Sequence, residues 1–348
     1  MLADEFNEER LLLGPYEDVE YLIGQIVMNR ITGIAFDNFD LERGPKEAIK
    51  FLKQSYISNI KANDSYIDSL AYLSTILMDV DIPYALLKGA YLIPFVYKKG
   101  HRTSNDVDIM IASKNVTSLQ TILLDNGFLQ GSLSYDGSFK PASRREIVQS
   151  KMNYGETIPF FKNHSDHWIE LDINFSLDYK PTQLESVISE MLSNTIEVEK
   201  DDLRFRTLNG IDFMIHLCCH LYKEATTFDW VATKRDMMLY KFSDINVLFM
   251  KKGSFDYCSQ LAERIVRYGL EKECFYAFEN ASLIFPRLNS IDGFVKLKHT
   301  IKPQKLNFMR QIIHPSERKV YQFDLDFTNW FFCKNRIECL KETNYEVN

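Results

Sequence analysis

Between Ile82 and Gly127 the spacing of apolar residues changes period repeatedly, and that rhythm limits the folds open to this chain more than any other feature. Ile82-Pro83-Tyr84-Ala85-Leu86-Leu87 is an apolar run too short for a helix, and Lys88-Gly89 ends it. Ala90 to Tyr97 has helical character, and His101-Arg102-Thr103-Ser104-Asn105 is a polar loop. Asp106-Val107-Asp108-Ile109-Met110-Ile111 then alternates as a strand does. Residues 115–126 form a further helix, stopped by Gly127. Strand, helix, strand, helix in close succession requires a sheet covered by helices, an α+β arrangement.

The rest of the chain is read around that core. Residues 1–82 are helical, with Tyr66, Leu70, Leu73 and Leu77 on one face and Asp64 as N-cap of a segment ending near Asp79. Gly131–Arg145, rich in Ser and Gly, reads as loop. Met152–Phe161 and His167–Leu177 read as two strands of an antiparallel hairpin, turning through Asn163-His164-Ser165-Asp166. Helical spacing dominates from Glu185 to Phe285, while the tail mixes strand-like runs at Gln311–Ile313 and Val320–Phe327 with basic patches. The expected organisation is an N-terminal helical segment (1–82) packing on a catalytic core (83–180), a mostly helical second domain (181–285) and a C-terminal extension (286–348). A length of 348 residues suits about two domains.

Charge narrows the function. Forty-one Lys plus Arg against 48 Asp plus Glu leave a net −7, without the field that gathers long polyanions, so no long nucleic acid is expected as partner. No stretch reaches the ~18 apolar residues of a membrane helix. The acidic start, with only Leu11–Leu13 apolar, is unlike a secretory signal. The six cysteines contain no CxxC and read as small buried hydrophobes of a reducing compartment, which places the chain in the cytoplasm. Neither a P-loop, nor GxSxG, nor a Gly-rich dinucleotide turn is present.

Asp106 and Asp108, two apart on a strand, project from one face, roughly 6.5–7 Å apart along the chain. Ile169-Glu170-Leu171-Asp172-Ile173 sets two more carboxylates on one face of another strand. Two such strands side by side would stack like charges, which costs energy unless cations neutralise them, and Mg²⁺ (or Mn²⁺) is the economical resolution. A pair of such ions suits in-line displacement at phosphorus. A single DxD is more often just a solvated strand face; the order of features around it is what points to a site.

That order resembles a known family. Leu86-Leu87-Lys88-Gly89-Ala90-Tyr91-Leu92, then Arg102-Thr103-Ser104-Asn105-Asp106-Val107-Asp108-Ile109-Met110-Ile111, then Leu171-Asp172-Ile173-Asn174-Phe175 is similar to the core of the uncharacterised bacterial nucleotidyltransferases, the family 5 type, within the DNA polymerase β-like superfamily. Ile215–His220 and Phe242-Ser243-Asp244-Ile245 resemble the family's second domain, so the likeness spans about residues 65–285. The resemblance implies a nucleotidyltransferase-fold mixed sheet flanked by helices. It also implies transfer of an NMP from an NTP to a hydroxyl or phosphate, with release of pyrophosphate. Asp106 and Asp108 would hold the metals, with Asp172, or Glu170 as its rival, as third carboxylate. Gly89 would let backbone approach the triphosphate at a helix start. The superfamily's Gly-Ser is replaced by Gly89-Ala90, and Asn174 and Phe175 stand where the family often has His and Trp.

Arg102 and Ser104 are candidates for phosphate contacts, Lys88 for neutralising the triphosphate, and Lys241 for reaching it across a cleft between domains. His216 and His220, four apart, read as core or supporting histidines rather than zinc ligands, since no Glu follows His216. The donor is an NTP, ATP in first place, and the acceptor a small molecule or a protein. An inactive fold that binds nucleotide or protein, and a toxin-like transferase, are the other readings.

Overall fold

The computed structural model describes residues 18–39, 45–78, 80–153, 156–177 and 184–343; Leu11–Leu13, Asp79 and the 180/181 boundary lie outside them. The chain is mixed α/β. In order, the elements are α1 Val19–Met28, α2 Thr32–Asn38, α3 Lys46–Leu77, β1 Tyr84–Leu86, α4 Gly89–Phe95, β2 Val107–Ile111, α5 Val116–Asp125, β3 Leu129–Leu133, β4 Phe139–Pro141, α6 Arg144–Asn153, β5 Phe160–His164 and β6 His167–Asn174. There follow α7 Glu185–Ser193, β7 Thr195–Lys200, β8 Leu203–Leu208, α8 Gly210–Ala225, α9 Phe228–Ala232, α10 Leu239–Lys252, α11 Phe255–Tyr268, α12 Glu271–Ile284, α13 Asp292–Thr300, β9 Gln311–His314, β10 Lys319–Gln322, α14 Phe327–Phe331 and β11 Lys341–Thr343.

Two compact units result. The first comprises the described residues up to Ser143 with Ile158–Ile173 and Thr195–Thr207; the second comprises Arg144–Thr157, Asn174–Asn194 and the chain from Leu208. The first is built on an eight-stranded sheet in the order β4-β3-β5-β6-β2-β1-β8-β7. Its mixed character comes from β1, antiparallel to β2 but parallel to β8. All five residues of β2 are buried, so both faces of that strand are covered. β6 alternates instead, with Ile169, Leu171 and Ile173 buried and Glu170 and Asp172 between them on the other face.

Several expectations are corrected. Asp64 caps nothing, because α3 runs unbroken from Lys46 to Leu77 and Asp64 sits on its exposed side, paired with Lys99. The burial of Leu52, Asn63, Tyr66, Leu70, Leu73 and Leu77 at helical spacing carries the helix through that point. The Ser/Gly stretch is not a loop: β3 and β4 pair from Gly131↔Pro141 to Leu133↔Phe139 across a turn with Gly137 at φ +80°. Met152 lies in α6, and strand begins only at Phe160; the antiparallel β5/β6 hairpin is present, Phe160↔Leu171 to His164↔His167, but Asn163 and His164 are paired in it, so the turn is Ser165-Asp166 alone, and β6 ends at Asn174 rather than Leu177. Within the stretch expected to be mostly helical, β7 and β8 extend the first unit's sheet, where Thr207 Oγ1 donates to Leu86 O at 2.7 Å.

The second unit is mostly helical, α8 buried along most of its length and capped by Asn209, which accepts from the amides of Ile211 and Asp212. Its small sheet, β11-β10-β9, accounts for the strand-like runs of the tail, and Trp330 is core, stacked on Phe323 at 3.8 Å. All six cysteines are unbridged, four of them buried, and Cys333 Sγ lies 3.6 Å from Cys339 Sγ. Among the described residues, no helix is long and apolar enough to cross a membrane.

Candidate functional site

The first unit's sheet collects carboxylates at β2 and β6. Asp106 closes the loop before β2, Asp108 lies within it, and Asp172 sits on the neighbouring β6. One carboxylate oxygen from each lies within 4.8 Å of the others. Sheet geometry explains the convergence: residues two apart share a face, and adjacent strands bring such faces together. Asp108 is buried at 4 % exposure, while Asp106 and Asp172 are half-buried.

Three like charges need compensation, and part of it is present. Lys88, at the end of β1, places Nζ 2.6 Å from Asp108 Oδ1. Ser104 Oγ donates to Asp106 Oδ1 at 2.9 Å, so the hydroxyl expected on a phosphate orients a carboxylate instead. Arg102 is buried and donates to the carbonyl of Thr103. Negative charge still dominates locally. Glu170, two residues before Asp172 on the same strand face, is pushed up to about 7 by burial and then by Asp106 and Asp108.

Gly89 is required for a reason other than ligand approach. It is buried, and a Cβ there would stand 2.8 Å from both Tyr66 Oη and Ser104 Cβ. The amides of Ala90 and Tyr91 already close on Leu87 O and Lys88 O. The glycine therefore lets the Lys88 turn pack onto α3 and the loop before β2.

α3 supplies residues that sequence reasoning missed. Tyr56 Oη donates to Lys99 O, Asn59 Nδ2 to Gly100 O and Asn63 Nδ2 to Arg102 O, while Gly100 N donates to Asn63 Oδ1 at 2.7 Å. Tyr66, buried at 5 %, follows on the same stripe, its phenol held well above the ordinary range by burial and by the charges of Asp106 and Asp108. The signal was Tyr56, Asn59, Asn63 and Tyr66 at spacings of three and four, a polar stripe on a helix otherwise read for its leucines. A second brace reaches the loop from α2, where Asp37 Oδ2 accepts from Lys98 at 2.6 Å and lies 2.7 Å from His101 Nε2.

The donor set fits a hard divalent cation. All three groups are carboxylates, the oxygen donors that such a cation takes, and one oxygen from each lies within 4.8 Å of the others. Mn²⁺ suits the same oxygens.

Lys241 is corrected. It lies in the second unit, almost wholly buried, and donates to Arg235 O at 2.7 Å and Asp236 O at 2.8 Å while pairing with Glu224. An ammonium with three donors so engaged has none to offer a triphosphate. His216 is buried, its ring parallel to that of His220 at 6.2 Å, and His220 Nε2 lies 3.2 Å from Glu224 Oε2, the supporting role expected.

A family model described as an uncharacterised nucleotidyltransferase matches residues 15–286, a span that includes all three aspartates of the triad. No curated protein matches the chain significantly.

Proposed function

This chain belongs to the uncharacterised nucleotidyltransferase family, and from that premise we propose that it transfers an NMP from an NTP, ATP first among them, to a hydroxyl or phosphate of a small-molecule or protein acceptor. Pyrophosphate is the second product. The observation that carries this reading is the convergence of Asp106, Asp108 and Asp172 within 4.8 Å on neighbouring strands. Asp106 and Asp108 would hold Mg²⁺ or Mn²⁺, with Asp172 as third ligand. When bound, the metal supplies charge compensation and polarisation at the α-phosphate.

The protein's own groups do the rest. Lys88 would neutralise the triphosphate, and Arg102 would add its charge. Ser104 fixes the carboxylate of Asp106, and Gly89 keeps the Lys88 turn against α3. Asp172 takes the acceptor's proton, with Glu170 beside it as a second holder for that proton. Unbridged cysteines suit a cytoplasmic setting, and the mild net acidity of the chain favours a small or protein acceptor over a long nucleic acid.

The test is an NTP panel with Mg²⁺ or Mn²⁺, following pyrophosphate release and label transfer to metabolites and proteins. The Asp106→Ala, Asp108→Ala double variant should lose about 5 kcal/mol of transition-state stabilisation, roughly 10⁴-fold in rate. The proposal fails if wild type binds no NTP and the double variant matches it in metal affinity. Nucleotide binding without turnover across a broad acceptor panel would leave a binding module in place of an enzyme.

A further inference from the structure

Within the acidic triad the protein supplies a cation of its own. Lys88 Nζ lies 2.6 Å from Asp108 Oδ1, and Asp108 is the buried member of the three. Lys88 is itself largely enclosed, its side chain 13 % exposed. Its backbone, at φ +43° and ψ −112°, adopts a conformation that L residues rarely take. The packing of Gly89 against Tyr66 and Ser104 holds that turn in place. A strained, enclosed turn thus delivers an ammonium to one of the carboxylates that a metal would need.

We infer that Lys88 is an internal counter-ion that competes with the divalent metal for Asp108 and passes to the triphosphate when a nucleotide enters, so that metal and nucleotide binding are coupled. The inference rests on the nucleotidyl-transfer reading and adds to it a reason why neither ligand binds well alone. An ammonium and a divalent cation on the same carboxylate repel strongly in a site shielded from water. Metal arriving alone must displace Lys88 and leave it facing a like charge. Metal arriving with a triphosphate brings the anion to which Lys88 can turn. Each ligand relieves the other's cost, and by linkage the factor is the same in both directions.

The experiment titrates the full chain with Mn²⁺ alone, free ion being followed by electron paramagnetic resonance, for wild type, Lys88→Met, Lys88→Arg and Asp108→Asn. Thermal melting checks that each is folded. Lys88→Met, which keeps most of the stem and removes the charge, should bind Mn²⁺ about tenfold tighter than wild type, and Lys88→Arg should stay close to wild type. A non-hydrolysable ATP analogue should raise the Mn²⁺ affinity of wild type by a larger factor than that of Lys88→Met. The inference is overturned if Asp108→Asn weakens Mn²⁺ binding but Lys88→Met does not tighten it, or if Met and Arg act alike. Mn²⁺ binding that ignores Asp108→Asn would remove the nucleotidyl-transfer reading together with the inference.

Discussion

In the first unit three carboxylates converge on one another around a single lysine, whereas in the second the buried carboxylates of Asp212, Glu224 and Asp236 each meet a cation of their own. Asp106, Asp108 and Asp172 share Lys88, the hydroxyl of Ser104 and the nearby charge of Arg102, and the surplus of negative charge shows in Glu170, pushed up to about 7. In the second unit Glu224 meets His220 and Lys241, and Asp236 meets Arg336. There too Asp212 accepts from Arg264 Nη1 at 3.0 and 3.1 Å. The difference separates two uses of the same residue type. Paired charges in a core fix a local arrangement, while clustered like charges cost stability and are the pattern that the proposed metal site would explain. Burial alone would not have told them apart, since Asp108 and Asp236 are both buried.

Deleting one partner in each unit should break the comparison if it is wrong. Arg336→Met removes the guanidinium facing Asp236, which is 1 % exposed, together with the bonds from Arg336 to Trp330 O and Phe331 O. The loss should be about 3 kcal/mol in denaturant unfolding. Burial already pushes the Asp236 carboxyl up against the pull of Arg336, so protonation limits the cost. Asp108→Asn removes one of three like charges together with the partner of Lys88, so relief of repulsion offsets the lost ion pair and the metal-free protein should lose less than about 1 kcal/mol. Equal losses in the two variants would mean that the triad is another structural network.

A smaller effect is expected where the first unit is braced rather than charged. Asn63→Leu keeps the branching at Cγ but leaves Arg102 O and Gly100 N without their side-chain partner in a buried place. It should cost about 2 kcal/mol in unfolding and lower NTP affinity more than an exposed α3 substitution such as Lys53→Ala does. Asn63 also marks where reading the sequence stops. A helical period locates α3, but a polar residue on its stripe can face water or a loop, and only the tertiary packing decides. The DxD strand was legible because alternation, a polar loop and a following helix are local signals. The partner strand was legible for the same reason, through Ile169, Leu171 and Ile173. β7 and β8 were not, although Leu203, Phe205 and Thr207 alternate, because they are short strands between helices and only β8, with β7 at its side, reaches β1 far back in the chain. Lys241 misled for a related reason: periodicity shows that α10 is amphipathic, and only Glu224 and the carbonyls of Arg235 and Asp236 draw its lysine inward.

The last effect is one of pH, and it reads the surplus charge directly. Burial and the charges of Asp106 and Asp108 raise the Glu170 carboxyl from the ordinary 4.5 to about 7. Below the ordinary value both folded and unfolded chains hold the proton, and Glu170 contributes no slope. Between that value and about 7 the unfolded chain has released a proton that the folded chain keeps, so this residue lowers stability as pH rises, and its contribution levels off above. Urea midpoints of the metal-free protein at pH 5, 6, 7 and 8 should therefore fall more steeply for wild type than for Glu170→Gln. Two of the three causes are charges on the triad, so Asp106→Asn with Asp108→Asn should flatten the Glu170 contribution while leaving the part due to burial. Added Mn²⁺ should flatten it in wild type as well, because a divalent cation favours the ionised carboxyl. If Glu170→Gln has the same pH profile as wild type, the triad carries no surplus charge, and the contrast between the two units loses its electrostatic basis.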